Sequence, residues 1–169
     1  MEDMEEIVIL GGGYAGVTAG KALQKKLKKN PGVRVRLISR SPHHILLTQL
    51  HEVAGKRTKP EDVKISLDEI FNHNNIEVIE DTITNIDPEQ QVLTGENSNY
   101  NYDYLIMGTG SEPAYYDIPG MEEHSFTLWS LDDAKTIRSH VKSSFIAANQ
   151  EVDPEKRKEL LTFVVGGGG

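Results

Sequence analysis

The sequence predicts an α/β fold, in which a Rossmann-like parallel sheet is joined to a small antiparallel β-meander. The first observation is an apolar strand pattern at residues 7–10 that runs directly into the spacing Gly11-x-Gly13-x-x-Gly16 and then into a helical pattern. The second is another β-run at residues 33–38. The third is a series of short β-runs between residues 76 and 94, separated by turn residues. Strand, helix and strand in that order are typical of a parallel βαβ unit, whereas closely spaced short strands favour a meander.

The glycine spacing is typical of a dinucleotide-binding turn. Gly11 permits the sharp strand-to-helix reversal, Gly13 lets a pyrophosphate approach the backbone, and Gly16 lets the helix pack close to the strand. The amides at the start of the helix and the helix dipole favour an anion there. The triplet alone also fits an ordinary tight turn, but the strand before it and the helix after it favour the dinucleotide interpretation.

The first βαβ unit is predicted over residues 7–38. Val17, Leu23 and Leu27 fall on one face of a helix predicted at residues 14–29. Pro31 and the residues on either side of it end that helix, and the second strand follows.

The end of the second strand leaves the nucleotide undecided. An acidic residue usually stands there to accept hydrogen bonds from the adenosine ribose, but this chain has Ser39 and Arg40. A serine followed by an arginine suits a ribose 2′-phosphate, which would indicate NADP. The corner alone leaves FAD and NADP both open.

The middle of the chain predicts a helix and then the meander. Ser66 and Glu69 have the spacing of a capping box, which predicts a short helix over residues 67–74. Short β-runs at residues 76–79, 82–86 and 91–94 are separated by turn residues, and together they predict the antiparallel meander.

The C-terminal third predicts a capped helix, a connector and a strand. Ser130 is a predicted cap, followed by a helix over residues 134–149 on the spacing of Ile137, Val141, Phe145 and Ala148. Residues 151–158 are predicted to be a charged connector, and residues 160–165 a buried-type strand. The final glycines, including Gly166 and Gly168, then resemble the first half of a second dinucleotide turn. A flexible glycine-rich tail is the alternative.

Composition indicates a globular domain and excludes some classes of function. The 169 residues are 37% hydrophobic and 26% charged, with a net charge of −8. This acidity argues against nucleic-acid binding, which needs clustered Lys and Arg. The 169 residues contain no cysteine, so a thiol relay within this stretch is excluded, and the acidic N-terminus lacks the pattern of a secretory signal. We therefore expect a cytoplasmic protein.

No catalytic acid, base or nucleophile and no metal site is predicted. His43, His44 and His51 lie close in sequence, but no carboxylate or cysteine completes a recognisable ligand spacing. No serine, histidine and acid have a spacing that marks a hydrolase.

Five segments together carry a family resemblance. They are the first glycine turn and residues 47–55, 102–110, 118–120 and 163–169. Their order resembles that of the two-dinucleotide flavoprotein reductases in the FAD/NAD(P)-binding pyridine nucleotide-disulfide oxidoreductase superfamily. The resemblance is greatest to the type II NADH dehydrogenase family of single-subunit NADH:quinone oxidoreductases, and it covers nearly all of the chain.

The resemblance implies a glutathione-reductase-like FAD-binding domain and a set of FAD-binding residues. It places Gly12, Gly13, Tyr14, Ala15 and Gly16 at the pyrophosphate, in addition to Gly11 from the turn itself. The other implied positions are Ser39 and Arg40 at the adenosine, Thr48 near the flavin, Ile83 with its backbone at the adenine, and Thr109 and Gly110 closing over the cofactor from the second side. Alternation along a strand explains an apolar Ile83 equally well.

The resemblance also implies the activity and the domain order. FAD is the expected cofactor and NADH the expected substrate, with electrons passing to a quinone. Residues 1–160 would be an FAD-binding domain that lacks its returning C-terminal segment, and residues 161–169 the first strand and glycine turn of a truncated NADH-binding domain. We expect this N-terminal fragment to be inactive alone, and to dimerise or to retain FAD weakly. The intact relatives attach peripherally to the inner face of the membrane.

Two alternatives remain open. One is a related flavoprotein reductase whose acceptor is sulfide-linked, ferredoxin-like or oxygen. The other is a non-enzymatic NADP-binding module, which Ser39 and Arg40 motivate.

Overall fold

The computed structural model describes residues 4–27, 30, 32–71 and 76–166, and these residues form two compact units. The first unit takes residues 1–46 and 64–112, and the second takes residues 47–63 and 113–169. The predicted α/β class is confirmed by a parallel sheet and two small antiparallel sheets within the first unit, one of two strands (β3 and β4) and one of three. The elements of the first unit are β1 (Glu5–Leu10), α1 (Tyr14–Leu27), β2 (Val33–Ser39), β3 (His43–Ile45), β4 (Lys64–Ser66), α3 (Leu67–Phe71), β5 (Ile76–Glu80), β6 (Ile83–Asp87), β7 (Val92–Gly95), β8 (Asn99–Asn101) and β9 (Tyr104–Met107).

The parallel sheet has the strand order β5-β2-β1-β9 in the part of the chain that the structure describes. Strands β1 and β2 lie in register, with Ile9 opposite Leu37, and α1 makes the crossover between them. This confirms the predicted βαβ unit. Strand β1 is continuously apolar over residues 7–10 because both faces of the sheet are covered.

Each face of the parallel sheet has its own core. Ile9 and Leu37 lie on the face covered by α1 and α3, where Val17 and Phe71 join them. The next residues along the strands point to the opposite face, as alternation requires. That second core contains Val8, Leu10, Ile38, Leu93, Tyr100 and Tyr102. The meander therefore covers the face of the sheet that α1 and α3 do not cover.

The meander differs from its prediction in one strand. It consists of β6, β7 and β8, each antiparallel to the next. The run at residues 76–79, predicted as its first strand, is instead β5, which pairs in parallel with β2. The prediction was wrong because an alternating apolar pattern defines a strand and its buried face but not its partner. The strand that takes its place in the meander is Asn99–Asn101, whose polar sequence gave no signal.

The second unit is helical. It contains a 3-10 turn at Leu47–Gln49, α2 (Leu50–Ala54), α4 (Met121–His124), α5 (Leu131–Gln150) and α6 (Pro154–Leu160). Helix α5 packs against α2 and α6. No helix among the described residues is long and apolar enough to cross a membrane.

The predicted helix in this unit is confirmed as α5, and Ser130 is its cap. Within the predicted apolar face, Ala148 is buried, but the Phe145 side chain is 57% exposed and its ring lies 6.1 Å from that of Phe163. The buried positions of α5 are instead Leu131, Ala134, Ser144 and Ala148.

The prediction of a last strand over residues 160–165 was wrong. Residues 162–166 form neither strand nor helix, Leu160 ends α6, and Val164 and Val165 are about nine-tenths exposed at 89% and 92%. A strand forms only where a neighbour satisfies its backbone groups, and no strand pairs with this segment within the described ranges. The predicted connector also proves helical, because Asp153 caps a helix that has Pro154 in its first turn. The domain boundary after residue 160 stays a prediction.

Candidate dinucleotide-binding site

The glycine turn occupies the corner between β1 and α1. Gly11 adopts φ +109°, a conformation that side chains rarely take, and a Cβ built on it would lie 2.3 Å from the carbonyl oxygen of Gly108. The Gly11 amide donates to the Ile38 carbonyl at 2.8 Å. The predicted reversal at Gly11 is therefore present, and only glycine fits there.

Two further glycines of the turn are required by packing. A Cβ at Gly16 would lie 1.8 Å from the Gly11 carbonyl oxygen, so the first turn of α1 sits directly against the end of β1. A Cβ at Gly12 would lie 2.7 Å from Leu67 Cδ1 and 2.9 Å from Ser39 Oγ. Both glycines are buried. They hold the turn together and leave its ligand side to other residues.

Gly13 is the glycine that packing does not explain. A Cβ built on it meets nothing within 4 Å, and Gly13 is exposed together with Tyr14 and Ala15. The Gly13 carbonyl accepts the first helical bond, from Val17 N–H at 3.0 Å, so these residues form the N-terminal end of α1. The first amides of a helix have no intrahelical acceptor, and the helix dipole is positive there. The exposed side of the turn is therefore suited to an anion that approaches the bare backbone.

The end of β9 lies beside this turn. Gly108 N–H donates to the Leu10 carbonyl at 2.8 Å, and a Cβ on Gly108 would lie 3.1 Å from the Gly16 amide nitrogen. Thr109 and Gly110 follow it and are exposed, with Gly110 at φ +79°. The structure thus brings two of the predicted positions close to the glycine turn. Gly108 was not predicted, although a glycine at the end of a strand signals a close backbone approach.

Ser39 and Arg40 differ in their exposure. Ser39 is only 8% exposed, its hydroxyl accepts a hydrogen bond from Ser41 N–H at 3.4 Å, and its carbonyl accepts one from Asp81 N–H at 3.0 Å. Arg40 is exposed. Arg40 is therefore the accessible cation at this corner, and contacts of both residues with an adenosine stay predictions.

The remaining predicted positions are spread over the chain. Ile83 is half-buried in β6, opposite Gly95, and packs against the core on the meander side of the sheet. Thr48 is exposed in the 3-10 turn of the second unit, and Gly166 has open space around it. Gly168 lies outside the described residues. Their cofactor contacts stay predictions.

His44 lies beside the glycine turn, and the sequence did not single it out for this site. It is 5% exposed in β3, and its Nδ1 lies 3.0 Å from the Gly12 carbonyl oxygen. Its ring contacts that of Tyr14 edge-on, with the centroids 4.7 Å apart. Gly12 and His44 are 32 positions apart in the sequence, so no local pattern could have joined them.

A buried carboxylate follows the edge strand β5. Asp81 is 3% exposed and accepts hydrogen bonds from the Tyr100 hydroxyl at 2.7 Å, the Thr82 amide at 2.8 Å, and the backbone and side-chain amides of Asn97 at 3.2 and 3.0 Å. The bond from Tyr100, followed by those amides, lowers the pKa of Asp81, although its burial opposes the shift. These hydrogen bonds satisfy the buried carboxylate, so Asp81 has a structural role in the fold. Among the described residues, no group of three His, Asp or Glu side chains could hold a metal ion.

One family model matches almost the whole chain. Residues 5–169 match the family described as pyridine nucleotide-disulphide oxidoreductase. This chain belongs to that family. The predicted superfamily is therefore confirmed, and the glycine turn described above lies in the matched region.

Several proteins are similar to this family member. The type II NADH:quinone oxidoreductase of Staphylococcus haemolyticus is 27% identical over 168 residues, which are 99% of this chain and 41% of that protein. The NADH:rubredoxin oxidoreductase of Clostridium acetobutylicum is 29% identical, with a TM-score of 0.66 over 82% of this chain and 36% of that one.

The NDH2 of Plasmodium falciparum, solved in complex with NADH, shares the fold, with a TM-score of 0.76 at 21% identity over 92% of this chain and 32% of that one. These names accord with the predicted resemblance. The chain spans about two-fifths of the length of the Staphylococcus relative.

Proposed function

We propose that this chain is the FAD-binding portion of a flavoprotein NADH dehydrogenase, which transfers a hydride from NADH to FAD and passes electrons onward to a quinone. The observation that carries the proposal is the open space where a Cβ of Gly13 would stand, at the exposed N-terminal end of α1. The similarity to proteins named type II NADH:quinone oxidoreductase supports the choice of reaction.

The residues present fit the pyrophosphate of a dinucleotide. Gly11, Gly12 and Gly16 are closed in by their neighbours, whereas Gly13 alone of this turn faces open space. A diphosphate needs backbone N–H donors and no side chain in its way. Gly13, Tyr14 and Ala15 would supply the donors, and Thr109 and Gly110 at the neighbouring strand end would close the second side.

The protein groups supply binding and orientation. Arg40 is the accessible cation at the end of β2 and would lie against the adenosine end of the nucleotide. The buried Ser39 would support the turn through its position beside Gly12. When bound, FAD supplies the hydride-accepting chemistry, so the chain needs no acid, base or nucleophile of its own.

The other partners of the proposed enzyme are NADH, a quinone and a membrane surface. Gly166 and Gly168 would open the NADH turn, and we propose a quinone as the acceptor and a peripheral attachment to the inner face of the cell membrane. We propose a cytoplasmic location for the enzyme. This chain by itself is proposed to turn over neither substrate, and to dimerise or to bind FAD weakly.

Titration of the chain with FAD, followed by flavin fluorescence, tests the proposal. Gly13→Ala adds a methyl group that meets no protein atom, so it should leave the fold unchanged but weaken FAD binding by about tenfold or more through obstruction of the pyrophosphate. Gly32→Ala is the matched control, because a Cβ there lies an ordinary 3.4 Å from Asn30 Oδ1 and Gly32 precedes β2 at the opposite end of the sheet. Absence of FAD binding by the unmodified chain, or equal binding by both variants, would contradict the proposal.

An NADP-binding module is the second candidate. The exposed Arg40 and the absence of an acidic residue at the end of β2 favour it, since an arginine accommodates a ribose 2′-phosphate. A parallel titration with NADPH separates the two functions. Tighter binding of NADPH than of FAD, with a loss on Arg40→Gln, would replace the first proposal by the second.

A further inference from the structure

The hydrogen bond between His44 and Gly12 fixes the chemical state of the imidazole. The Gly12 carbonyl oxygen can only accept, so Nδ1 of His44 at 3.0 Å must carry the proton. In a neutral imidazole this leaves Nε2 as the acceptor. The ring is buried and its edge contact with Tyr14 holds it beside the first residue of α1.

This bond also fixes the orientation of a peptide group in the turn. The Gly12 carbonyl and the Gly13 N–H belong to one planar trans peptide, in which the two bonds point in opposite directions. A carbonyl held toward the buried His44 therefore turns the Gly13 N–H away from His44. Gly13 itself is exposed, with open space beside it.

Neither glycine can hold this peptide by its own side chain. A peptide between two glycines has more backbone conformations open to it than any other, so an external contact is needed to select one. Gly12 is confined sideways by Leu67 and Ser39, and His44 is the group that bonds to its carbonyl. The imidazole thus completes the enclosure of the buried half of the turn.

We propose that His44 is a positioning residue for the dinucleotide turn. Its Nδ1–H holds the Gly12 carbonyl and thereby aims the Gly13 amide at the phosphate of a bound dinucleotide. The inference rests on the proposed FAD site for its ligand, but the placement of the peptide is a property of the chain without ligand.

Three variants separate the hydrogen bond from the bulk of the ring. His44→Leu fills similar space without a donor. His44→Asn retains an N–H group attached to Cγ, where Nδ1 is attached, whereas His44→Gln carries its N–H one atom further out. His43→Leu is the matched control, because the preceding residue of the same strand points to the other face of β3.

The first measurement uses the chain without ligand. Long-range proton–nitrogen NMR spectra of His44 at alkaline pH should show a protonated Nδ1 and a bare Nε2. The residual dipolar coupling of the Gly13 N–H should change in His44→Leu and His44→Gln and should be retained in His44→Asn and His43→Leu. A protonated Nε2, or an unchanged Gly13 coupling in His44→Leu, would overturn the inference.

The second measurement is FAD affinity under conditions where every variant is fully folded, as checked by urea unfolding. His44→Leu should weaken binding by about tenfold, the effect of one misplaced donor to a charged group, and His44→Asn should restore it. If His44 had only a structural role, His44→Leu would lower the urea midpoint of unfolding but leave the FAD affinity of the folded chain unchanged. That result would overturn the inference. If the unmodified chain binds no FAD, the proposed function fails, and the Gly13 coupling alone decides whether His44 sets the peptide.

Discussion

The Tyr100 hydroxyl donates to the buried carboxylate of Asp81 at 2.7 Å, and this bond joins the meander to the parallel sheet. Tyr100 lies in β8, whereas Asp81 follows directly after β5. The pair lies on the meander side of the sheet, in the same unit as the glycine turn. Asp81 also leaves no room for a side chain at Gly95, where an added Cβ would lie 2.2 Å from a carboxylate oxygen of Asp81.

Acid should weaken the first unit through Asp81. Because the pKa of Asp81 is lowered in the folded chain, its contribution to stability is fully present above its ordinary value of 3.8 and is lost as the pH falls through the lower folded value. Asp81→Asn should therefore be less stable than the unmodified chain at pH 7, and the difference should shrink in acid. Urea unfolding across pH measures this. The exposed Asp68→Asn is the control, and a difference that does not vary with pH would count against the assignment.

Alkaline pH should act through Tyr100. Burial, followed by the bond to Asp81, raises the pKa of Tyr100 to about 12 from 10.0. A raised folded value means that the contribution of the neutral phenol is present below pH 10 and is lost as the pH rises toward 12. Ultraviolet titration of the six tyrosines should show a late step that disappears in Tyr100→Phe. Titration of all six near the ordinary value would contradict this.

Gly16→Ala should disrupt the fold. The added Cβ would lie 1.8 Å from the Gly11 carbonyl oxygen, so α1 must move away from β1, and we expect a loss of about 2 kcal/mol or more in the free energy of unfolding. Gly13→Ala in the same turn is the control and should change stability by less than about 0.5 kcal/mol. Chemical denaturation of the two variants gives the comparison. Equal stabilities would mean that the close packing of the turn is wrong.

Ser130→Ala should destabilise α5 by about 1 kcal/mol. The Ser130 hydroxyl accepts from Asp133 N–H at 3.1 Å, and the Asp133 carboxylate accepts from Ser130 N–H at 2.8 Å, which is a complete capping box. Although burial acts in the opposite direction, the amides of Ser130 and Trp129 lower the pKa of Asp133. Thermal unfolding, compared with the exposed mid-helix variant Ser139→Ala, measures the cap. No difference between the two variants would show that the cap contributes nothing.

The sequence predicted the parts of the fold that are specified locally. Strand β1, helix α1 and strand β2 follow from apolar periodicity and from turn residues, and all three are present. The partner of β5 did not follow, because strand pairing is a tertiary property. Strands β3 and β4 have only three residues each, too few for a period to be seen. Asp153 and Pro154 are typical of a helix start and could have predicted α6, but the charged composition of residues 151–158 was interpreted as that of a connector.

The candidate site was predictable to the extent that it depends on glycines. Gly11 and Gly16 have the close contacts that their spacing indicates, and Gly13 has the open space. Gly108 and His44 were missed, since each acquires its role only when a distant strand comes beside the turn. Folding brings them there through pairing of β9 with β1 and through the β3–β4 sheet.

The most direct test of the proposed pyrophosphate site is proton–nitrogen shift mapping of the chain during addition of FAD. The account predicts the largest amide shifts at Gly13, Tyr14 and Ala15, with ADP, which also carries a diphosphate, shifting the same amides. In Gly13→Ala the shifts should need about tenfold more FAD or higher. FAD binding that leaves these amides unshifted, or an unchanged titration midpoint in Gly13→Ala, would contradict it.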